Sequence, residues 1–243
     1  MTDKNKIFIL IPAFNEEPNI TQVIENIRKN IDAKIVIIDD GSSDNTAEIA
    51  RSKGVYVISH VINMGYGAAL QTGYKFAMSE ECDWIIQMDA DGQHSAECIK
   101  DFLKEIESGR SDVIIGSRFL GTLNYEISKA RKIGMFLFRS LASFITKQKI
   151  TDPTSGFQAL DKDVLNFCTS DFYPADYPDA DFIIMLHYEG FRIKEIPVIM
   201  NANKQQKSMH GGVLKPAYYV FKMLLSILVT YLRELEKRKK IRK

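Results

Sequence analysis

The chain contains the stretch Trp84-Ile85-Ile86-Gln87-Met88-Asp89-Ala90-Asp91-Gly92-Gln93-His94, in which an apolar run ends in two carboxylates. Such a run is typical of a strand that is buried on both faces in a parallel sheet. Asp89 and Asp91 are two positions apart, so on an extended chain both side chains point to the same side. At the mouth of a parallel sheet, two such carboxylates can hold a divalent cation on a diphosphate. The stretch therefore predicts an α/β fold with a nucleotide site.

Two earlier apolar runs also end in polar loops. Residues 6–12 lead into Ala13-Phe14-Asn15-Glu16, and residues 34–38 lead into Asp39-Asp40-Gly41-Ser42-Ser43-Asp44. Because the carboxyl ends of parallel strands meet at one edge, three polar strand ends indicate a shared binding site.

The first half of the chain alternates between strand and helix patterns. This alternation predicts an α/β fold with a mostly parallel central sheet and helices on both faces. The second half is less regular, with a turn-rich loop at 151–157 and a polar segment at 201–212. The predicted strands cover residues 7–11, 35–38, 55–59, 84–88, 113–116 and 191–200, and the predicted helices 18–30, 44–53, 66–78, 95–108, 127–146 and 179–189.

The composition fits one large globular domain. The chain has 243 residues, 45% of them hydrophobic and 26% charged, and its net charge of +1 argues against nucleic-acid binding. The cysteines at 82, 98 and 168 form no paired motif, which indicates a reducing compartment without disulfides or structural zinc. The first six residues have no apolar core of a signal peptide. We expect a cytoplasmic protein, peripheral on the cytosolic face of a membrane.

The C-terminal segment forms a separate unit in this interpretation, with a catalytic domain at 1–212 and an appendage at 213–243. The apolar run 223–232 is much shorter than the roughly 20 residues that span a bilayer. Seven basic residues lie between 233 and 243. An amphipathic helix at the membrane interface, followed by a basic tail, fits this pattern. A core helix or an oligomer contact fits it equally well.

Taken jointly, the motifs resemble family-2 glycosyltransferases, which have the nucleotide-diphosphosugar transferase (GT-A) fold. The resemblance covers about residues 6–200 and continues through residues 63–69, Asn-Met-Gly-Tyr-Gly-Ala-Ala, and 116–118, Gly-Ser-Arg. Within the family, residues 89–94 and 151–159 are most similar to dolichyl- and undecaprenyl-phosphate sugar synthases. The resemblance implies a metal-dependent inverting hexosyltransferase of cell-surface glycan synthesis. It also implies Mg²⁺ or Mn²⁺ as cofactor, a UDP-, GDP- or dTDP-sugar as donor and a polyprenyl phosphate as acceptor.

The resemblance also implies roles for the donor-side residues. Two alternatives remain open there: Glu16 also suits the first turn of a helix, and Asp44 suits a helix cap. Imidazole is a poor ligand for Mg²⁺, so His94 is expected to form hydrogen bonds or to pack. The implied nucleotide-sugar residues are Pro12, Phe14, Glu16, Asp39, Asp40, Gly67, Asp89 and Ala90, and the implied metal ligands are Asp89, Asp91 and Gln93.

The acceptor side is implied less completely. Arg118 and Arg131 suit a phosphate, because a guanidinium binds one with two parallel hydrogen bonds. Ser155 and Asp152 are expected to line the acceptor pocket, and Gly156 to permit close backbone approach. The Gly-x-Ser-Lys motif of these synthases is incomplete here, since Ser208 is present but the residues at 206 and 209 are Gln and Met. Lys207 or Lys204 would supply the charge instead.

Asp179 and Asp181 raise an alternative, transfer to a sugar hydroxyl of a growing polysaccharide with one of these carboxylates as general base. A phosphate acceptor is already ionised and needs no strong base, and Asp181 would then orient other groups. The catalytic candidates are therefore Asp89, Asp91, Arg118, Arg131 and Asp181. A nucleotide-sugar-binding subunit without catalysis is a third hypothesis. A membrane-protein partner and a homo-oligomer are both compatible with the sequence.

Overall fold

The structure is a computed structural model that describes residues 6–123, 129–171, 173, 178–202 and 214–241. Its strands are β1 Ile7–Ala13, β2 Lys34–Asp39, β3 Tyr56–Ser59, β4 Trp84–Gln87, β5 Val113–Leu123, β6 Gln158–Asp161 and β7 Ile193–Met200. Its helices are α1 Glu17–Arg28, α2 Thr46–Ser52, α3 Tyr66–Ser79, α4 Ile99–Ser108, α5 Lys129–Thr146, α6 Lys162–Cys168, α7 Ala180–Tyr188 and α8 Leu214–Ile241.

The strands form one sheet in the order β3-β2-β1-β4-β6-β5-β7. Strand β6 is antiparallel to both of its neighbours, and the other paired strands are parallel. The prediction of a mostly parallel sheet with helices is therefore confirmed.

The chain reverses its direction of travel across the sheet at β1. From β1 it passes to β2 and β3 on one side, and it then returns to β4 on the other side. The register places Ala13 opposite Asp39 and Leu10 opposite Gln87. In such sheets a crevice opens at the carboxyl ends of the strands where the order reverses. The loops after β1, β2 and β4 meet at this crevice.

Alternating side chains of the strands fill a core on each face of the sheet. Ile9 and Ile11 pack in the layer of α1 and α4, while Phe8 and Leu10 pack in the layer of α3. These four side chains are almost fully buried. Burying one such side chain contributes about 1.5–3 kcal/mol, so the two layers fix the position of β1. The strand cannot shift by one residue without exchanging its two faces.

Strand β6 and helix α6 were not predicted. Strand β6 has four residues and directly follows the turn-rich loop, so it carries too short an apolar pattern to be distinguished. Helix α2 begins at Thr46 rather than at residue 44. Asp44 nevertheless binds backbone nitrogens at the first turns of α1 and α2. Its carboxylate accepts hydrogen bonds from the backbone nitrogens of Thr46 at 3.0 Å and Glu17 at 3.2 Å.

Helix α8 packs on α5 and α7 through a small third core of buried side chains, Phe138, Ala180, Ile184, Met223 and Ile227. Val220 also packs against this core, while other described apolar side chains of the helix are exposed. Among the helices that the structure describes, none has an apolar stretch long enough to cross a membrane. The exposed apolar side chains of α8 are Tyr218, Phe221, Leu224, Leu225, Leu228, Val229, Tyr231 and Leu232.

Candidate active site

Asp89 follows β4 at the crevice beside β1, and three groups hold it there. Its Oδ1 accepts a hydrogen bond from the Tyr66 hydroxyl at 2.9 Å. Its backbone nitrogen donates to Nδ1 of His94 at 3.0 Å, and its Oδ2 lies 3.5 Å from Nε2 of the same ring. The carboxylate remains 35% exposed, so it is both fixed in orientation and accessible.

Asp91 stands next to Asp89, and its Oδ1 accepts from the backbone nitrogen of Gln93 at 2.9 Å. Burial raises the pKa of Asp91, and the negative charge of Asp89 raises it further. Two like charges held close together in a partly buried place are stabilised by a bound cation. The donor set of these residues thus fits a divalent cation.

The described residues offer only part of a coordination shell. Within the described residues, no group of three or more His, Cys, Asp or Glu side chains is arranged to hold a metal. A magnesium-type ion is commonly bound by one or two carboxylates together with substrate phosphates and water. Gln93 donates from Nε2 to the carbonyl of Asn201 at 3.4 Å, and the role of its oxygen as a metal ligand stays a prediction.

His94 has both of the roles that were expected of it. The ring is buried and stacks on Phe157 with 4.8 Å between ring centroids. Because its Nδ1 accepts from the Asp89 backbone, the ring ties the end of β4 to the loop that carries Phe157.

Arg118 pairs with Asp152 inside the protein. The guanidinium donates from Nε and Nη2 to the two carboxylate oxygens at 2.7 and 2.6 Å, and Nη2 also donates to the Thr154 carbonyl at 3.0 Å. Arg118 is only 7% exposed and Asp152 is fully buried. The pair braces the 151–157 loop against β5, and phosphate binding by Arg118 stays a prediction.

The same loop closes one wall of the site. Ser155 is buried and donates from its hydroxyl to the carbonyl of Gly116 in β5 at 2.6 Å. Gly156 comes next to the Asp89 carboxylate. A Cβ atom on Gly156 would lie 2.9 Å from the Tyr66 hydroxyl and 3.2 Å from Oδ1 of Asp89. Glycine lets the backbone approach Asp89 this closely, and a larger residue would make Tyr66 or Asp89 move.

The loops after β1 and β2 bind each other beside the crevice. Asn15 has a φ of 55° and accepts at Oδ1 from the backbone nitrogen of Ser43 at 2.8 Å. Its own backbone nitrogen donates to the hydroxyl of Ser42 at 3.0 Å. Pro12 is buried at the end of β1, and Phe14 is 46% exposed. Glu16 directly precedes α1 and accepts from the Asn19 side chain at 2.7 Å, and its contact with a nucleotide stays a prediction.

Asp39 and Asp40 are both buried, but their contacts differ. Oδ1 of Asp39 accepts from the backbone nitrogen of Ser42 at 3.1 Å. Both oxygens of Asp40 accept from the segment before α3: His60 at 2.7 Å and the backbone nitrogens of Met64 and Gly65 at 2.8 and 2.9 Å. Asp40 thus holds that segment in place, and its direct contact with a nucleotide stays a prediction. Gly67 and Ala90 are buried near the same edge.

Asp179 and Asp181 lie at the start of α7 and point to different surroundings. Asp181 is buried, accepts at Oδ1 from the backbone nitrogen of Phe182 at 2.8 Å, and accepts at Oδ2 from the Ser226 hydroxyl on α8. Burial raises the pKa of Asp181. Burial raises the pKa of the Tyr66 hydroxyl most, followed by Asp89 and Tyr74, and the charge of Asp179 adds a smaller contribution. The contacts of Asp181 are structural, and its catalytic role stays a prediction.

Two acceptor-side candidates lie outside the described parts of the chain. Arg131 belongs to α5, but its side chain is among those not described, and Lys207 lies between residues 202 and 214.

Three residues that hold Asp89 or Asp40 in place, directly or through another side chain, were not predicted. Tyr66 donates to Asp89, Gln87 at the end of β4 donates to Tyr66, and His60 contacts Asp40. Tyr66 stands within a quoted motif, but no spacing in the sequence pairs it with a carboxylate 23 positions away.

The family model described as Glycosyl transferase family 2 matches residues 8–168. The UDP-N-acetylglucosamine–dolichyl-phosphate N-acetylglucosaminyltransferase of Methanococcus voltae is 28% identical, over 82% of this chain and 86% of its own length. The polyprenol monophosphomannose synthase of Mycolicibacterium smegmatis is 25% identical, over 88% and 84%. A structure of glucosyl-3-phosphoglycerate synthase from Mycobacterium tuberculosis, in complex with Mn²⁺, UDP and glucosyl-3-phosphoglycerate, has a TM-score of 0.68 at 18% identity. It covers 94% of this chain and 79% of its own.

Proposed function

This chain belongs to glycosyltransferase family 2, and from that membership we propose that it transfers a sugar from a nucleoside diphosphate to a polyprenyl phosphate. The observation that carries the proposal is the Asp89–Asp91 pair at the crevice between β1 and β4. The named relatives from Methanococcus voltae and Mycolicibacterium smegmatis, which match over most of the chain, support the acceptor class.

The proposed reaction is a single displacement at the anomeric carbon of the sugar. An oxygen of the polyprenyl phosphate attacks this carbon from the side opposite the leaving group and forms the new carbon–oxygen bond. The bond from the carbon to the β-phosphate oxygen breaks, and its electron pair leaves with the nucleoside diphosphate. The configuration at the carbon inverts. No proton needs to be removed from the ionised phosphate, so no strong general base is required.

The donor side of the proposal uses the residues at the carboxyl edge of the sheet. Asp89 and Asp91, with Gln93, would hold Mg²⁺ or Mn²⁺, which when bound neutralises charge on the departing diphosphate. The similar fold that was crystallised with Mn²⁺ and UDP supports this assignment. The nucleoside would lie along Pro12, Phe14, Glu16, Asp39 and Gly67. The named relatives use different sugars, so the donor sugar is left to experiment.

On the acceptor side we propose that Arg118 and Ser155 shape the wall beside the phosphate through the 151–157 loop. Arg131 and Lys207 are proposed as the cations that attract the lipid phosphate. This division follows from the contacts of Arg118, which already donates to Asp152 and Thr154.

A second candidate is transfer to a sugar hydroxyl, since Asp179 stands at the start of α7 and its charge contributes to the raised pKa of the Tyr66 hydroxyl. In that mechanism Asp179 would remove the hydroxyl proton. Asp179→Asn would then lower the rate by about 10²-fold or more, with little change in donor binding. A polyprenyl-phosphate transferase would tolerate this substitution much better.

We also propose that the protein binds to the cytosolic face of the membrane through α8. The exposed apolar side chains of this helix, with the basic residues that follow in the sequence, suit an anionic lipid surface. Co-sedimentation with vesicles tests this: binding should require anionic lipid and should weaken in Leu225→Ser/Leu228→Ser. Equal sedimentation with neutral vesicles, or none with either, would contradict it.

The test of the proposed function is a transfer assay. The protein is incubated with Mn²⁺ or Mg²⁺, a panel of UDP-, GDP- and dTDP-sugars, and undecaprenyl or dolichyl phosphate. A lipid-linked sugar should form with the unaltered protein and not with Asp91→Asn. Transfer to a sugar hydroxyl but not to the lipid would favour the second candidate.

A further inference from the structure

A chain of hydrogen bonds runs through the protein and ends on Asp89. The hydroxyl of Tyr173 lies 3.4 Å from that of Tyr74, which donates to Oε1 of Gln87 at 2.6 Å. Nε2 of Gln87 donates to the hydroxyl of Tyr66 at 3.3 Å, and Tyr66 donates to Oδ1 of Asp89 at 2.9 Å. The chain thus connects the layer of α3 to the carboxylate at the end of β4.

The direction of every bond in this chain follows from its last member. An ionised carboxylate only accepts, so Tyr66 must donate to Asp89. The lone pairs of Tyr66 then receive the Gln87 amide, which directs Oε1 of Gln87 towards Tyr74. Tyr74 donates there and accepts from Tyr173. Each hydroxyl proton therefore has one place to go, and the Tyr66 proton is directed at Asp89.

The middle of the chain is rigid because it is buried. Tyr74 is fully buried, Gln87 is 2% exposed, and the rings of Tyr74 and Tyr173 pack edge to face at 5.4 Å. Nε2 of Gln87 also donates to the carbonyl of Gly156 at 3.1 Å. Gln87 is thus held from both ends and presents its amide to Tyr66 in one orientation.

We propose that Tyr66 is a positioning residue for Asp89, held in its orientation by Gln87, so that the carboxylate is preorganised to bind a metal–nucleotide complex. This inference rests on the proposed function, since it takes the cation and diphosphate as the ligands of Asp89. Without the Tyr66 hydroxyl, Oδ1 of Asp89 loses its donor and the carboxylate can rotate. Loss of such a supporting hydrogen bond typically weakens metal binding by about 10- to 100-fold.

The test compares two conservative substitutions in the same chain of bonds. Tyr66→Phe removes the donor to Asp89, while Gln87 keeps the Gly156 carbonyl as a partner for its amide. Tyr74→Phe removes a donor two links away and leaves the Tyr66–Asp89 bond in place. In this second variant the buried Oε1 of Gln87 loses its donor, which destabilises the fold.

The measurement is Mn²⁺ binding followed by electron paramagnetic resonance, with UDP, GDP or dTDP present and no sugar, so that no turnover occurs. Thermal unfolding is recorded for each protein without metal. We expect Tyr66→Phe to raise the Kd for Mn²⁺ by about 10- to 100-fold with a Tm close to that of the unaltered protein. We expect Tyr74→Phe to lower the Tm and to raise the Kd by less than Tyr66→Phe does, because the Gly156 carbonyl still holds the Gln87 amide.

Three results would overturn the inference. An unchanged Kd in Tyr66→Phe would show that Asp89 does not depend on this hydroxyl. If both variants raised the Kd for Mn²⁺ and lowered the Tm to the same extent, Tyr66 would stabilise the fold without positioning Asp89. If the unaltered protein bound Mn²⁺ with none of the three nucleotides, the proposed donor site and this inference would both fail. In the first two outcomes the unaltered protein still binds Mn²⁺, so only the inference fails.

Discussion

Nδ1 of His94 accepts a hydrogen bond from the backbone nitrogen of Asp89 at 3.0 Å. A ring nitrogen that accepts carries no proton, so the proton of this imidazole is on Nε2, which lies 3.5 Å from Oδ2 of the same aspartate. One side chain thus contacts both the main chain of Asp89 and the carboxylate oxygen that Tyr66 does not contact.

Replacing His94 tests this contact. His94→Phe keeps an aromatic ring on Phe157 but leaves the N–H of Asp89 without an acceptor, which should cost about 1–3 kcal/mol of stability. His94→Asn retains an acceptor near the position of Nδ1. We expect donor binding to be weakened more by the Phe variant than by the Asn variant, measured as KM for the nucleotide sugar. The reverse order would contradict a hydrogen-bonding role.

Gly156→Ala tests the close approach of the loop to the carboxylate. The added Cβ would lie 2.9 Å from the Tyr66 hydroxyl, so the loop, the tyrosine or Asp89 must move. We expect weaker Mn²⁺ binding with nucleotide. Gly134→Ala is the matched control, because beyond its own stretch of helix no described atom lies within 4 Å of its added Cβ. Gly134 is inside α5, where alanine should stabilise the helix by up to about 1 kcal/mol. Equal metal binding by both variants would show that the close approach of Gly156 to Asp89 does not matter for the metal site.

Removing one partner of the buried Arg118–Asp152 pair should strongly destabilise the fold. Asp152→Asn leaves the buried guanidinium facing an amide donor, and such a loss costs about 3–5 kcal/mol. Asp112→Asn is the control, because its partner Arg192 is largely exposed and water replaces the lost contact. Urea unfolding of both variants gives the comparison. If both variants lost a similarly small amount of unfolding free energy, the Arg118–Asp152 pair would not be isolated from solvent.

Asp181 should make stability depend on pH. Burial raises its pKa in the folded protein, so the folded state holds this proton more tightly than the unfolded state does. Its contribution to stability is therefore complete below the unfolded pKa, about 3.9, and is lost as the pH rises through the raised folded pKa. Asp181→Asn should remove this part of the pH dependence of Tm and keep transfer activity. A rate loss of about 10²-fold or more would instead support the base mechanism.

The sequence predicted the edge of the sheet better than the contacts made there. Strands β1, β2 and β4 could be found because each is a buried apolar run that ends in polar residues. Strand β6 could not, since four residues after a turn-rich loop carry little periodicity. The partners of Arg118 and Asp40 depend on loops that fold back from distant positions. Asp152 was singled out as a pocket residue, and only the fold shows that it accepts from Arg118. Spacing along the chain does not encode such pairs.

The most direct measurement is a crystal structure with UDP, GDP or dTDP and Mn²⁺, with anomalous diffraction recorded at the manganese edge. We predict a manganese peak about 2–2.5 Å from an oxygen of Asp89 or Asp91 and from the nucleotide diphosphate. A peak at another place, with the two carboxylates turned away from the bound nucleotide, would contradict the proposed donor site.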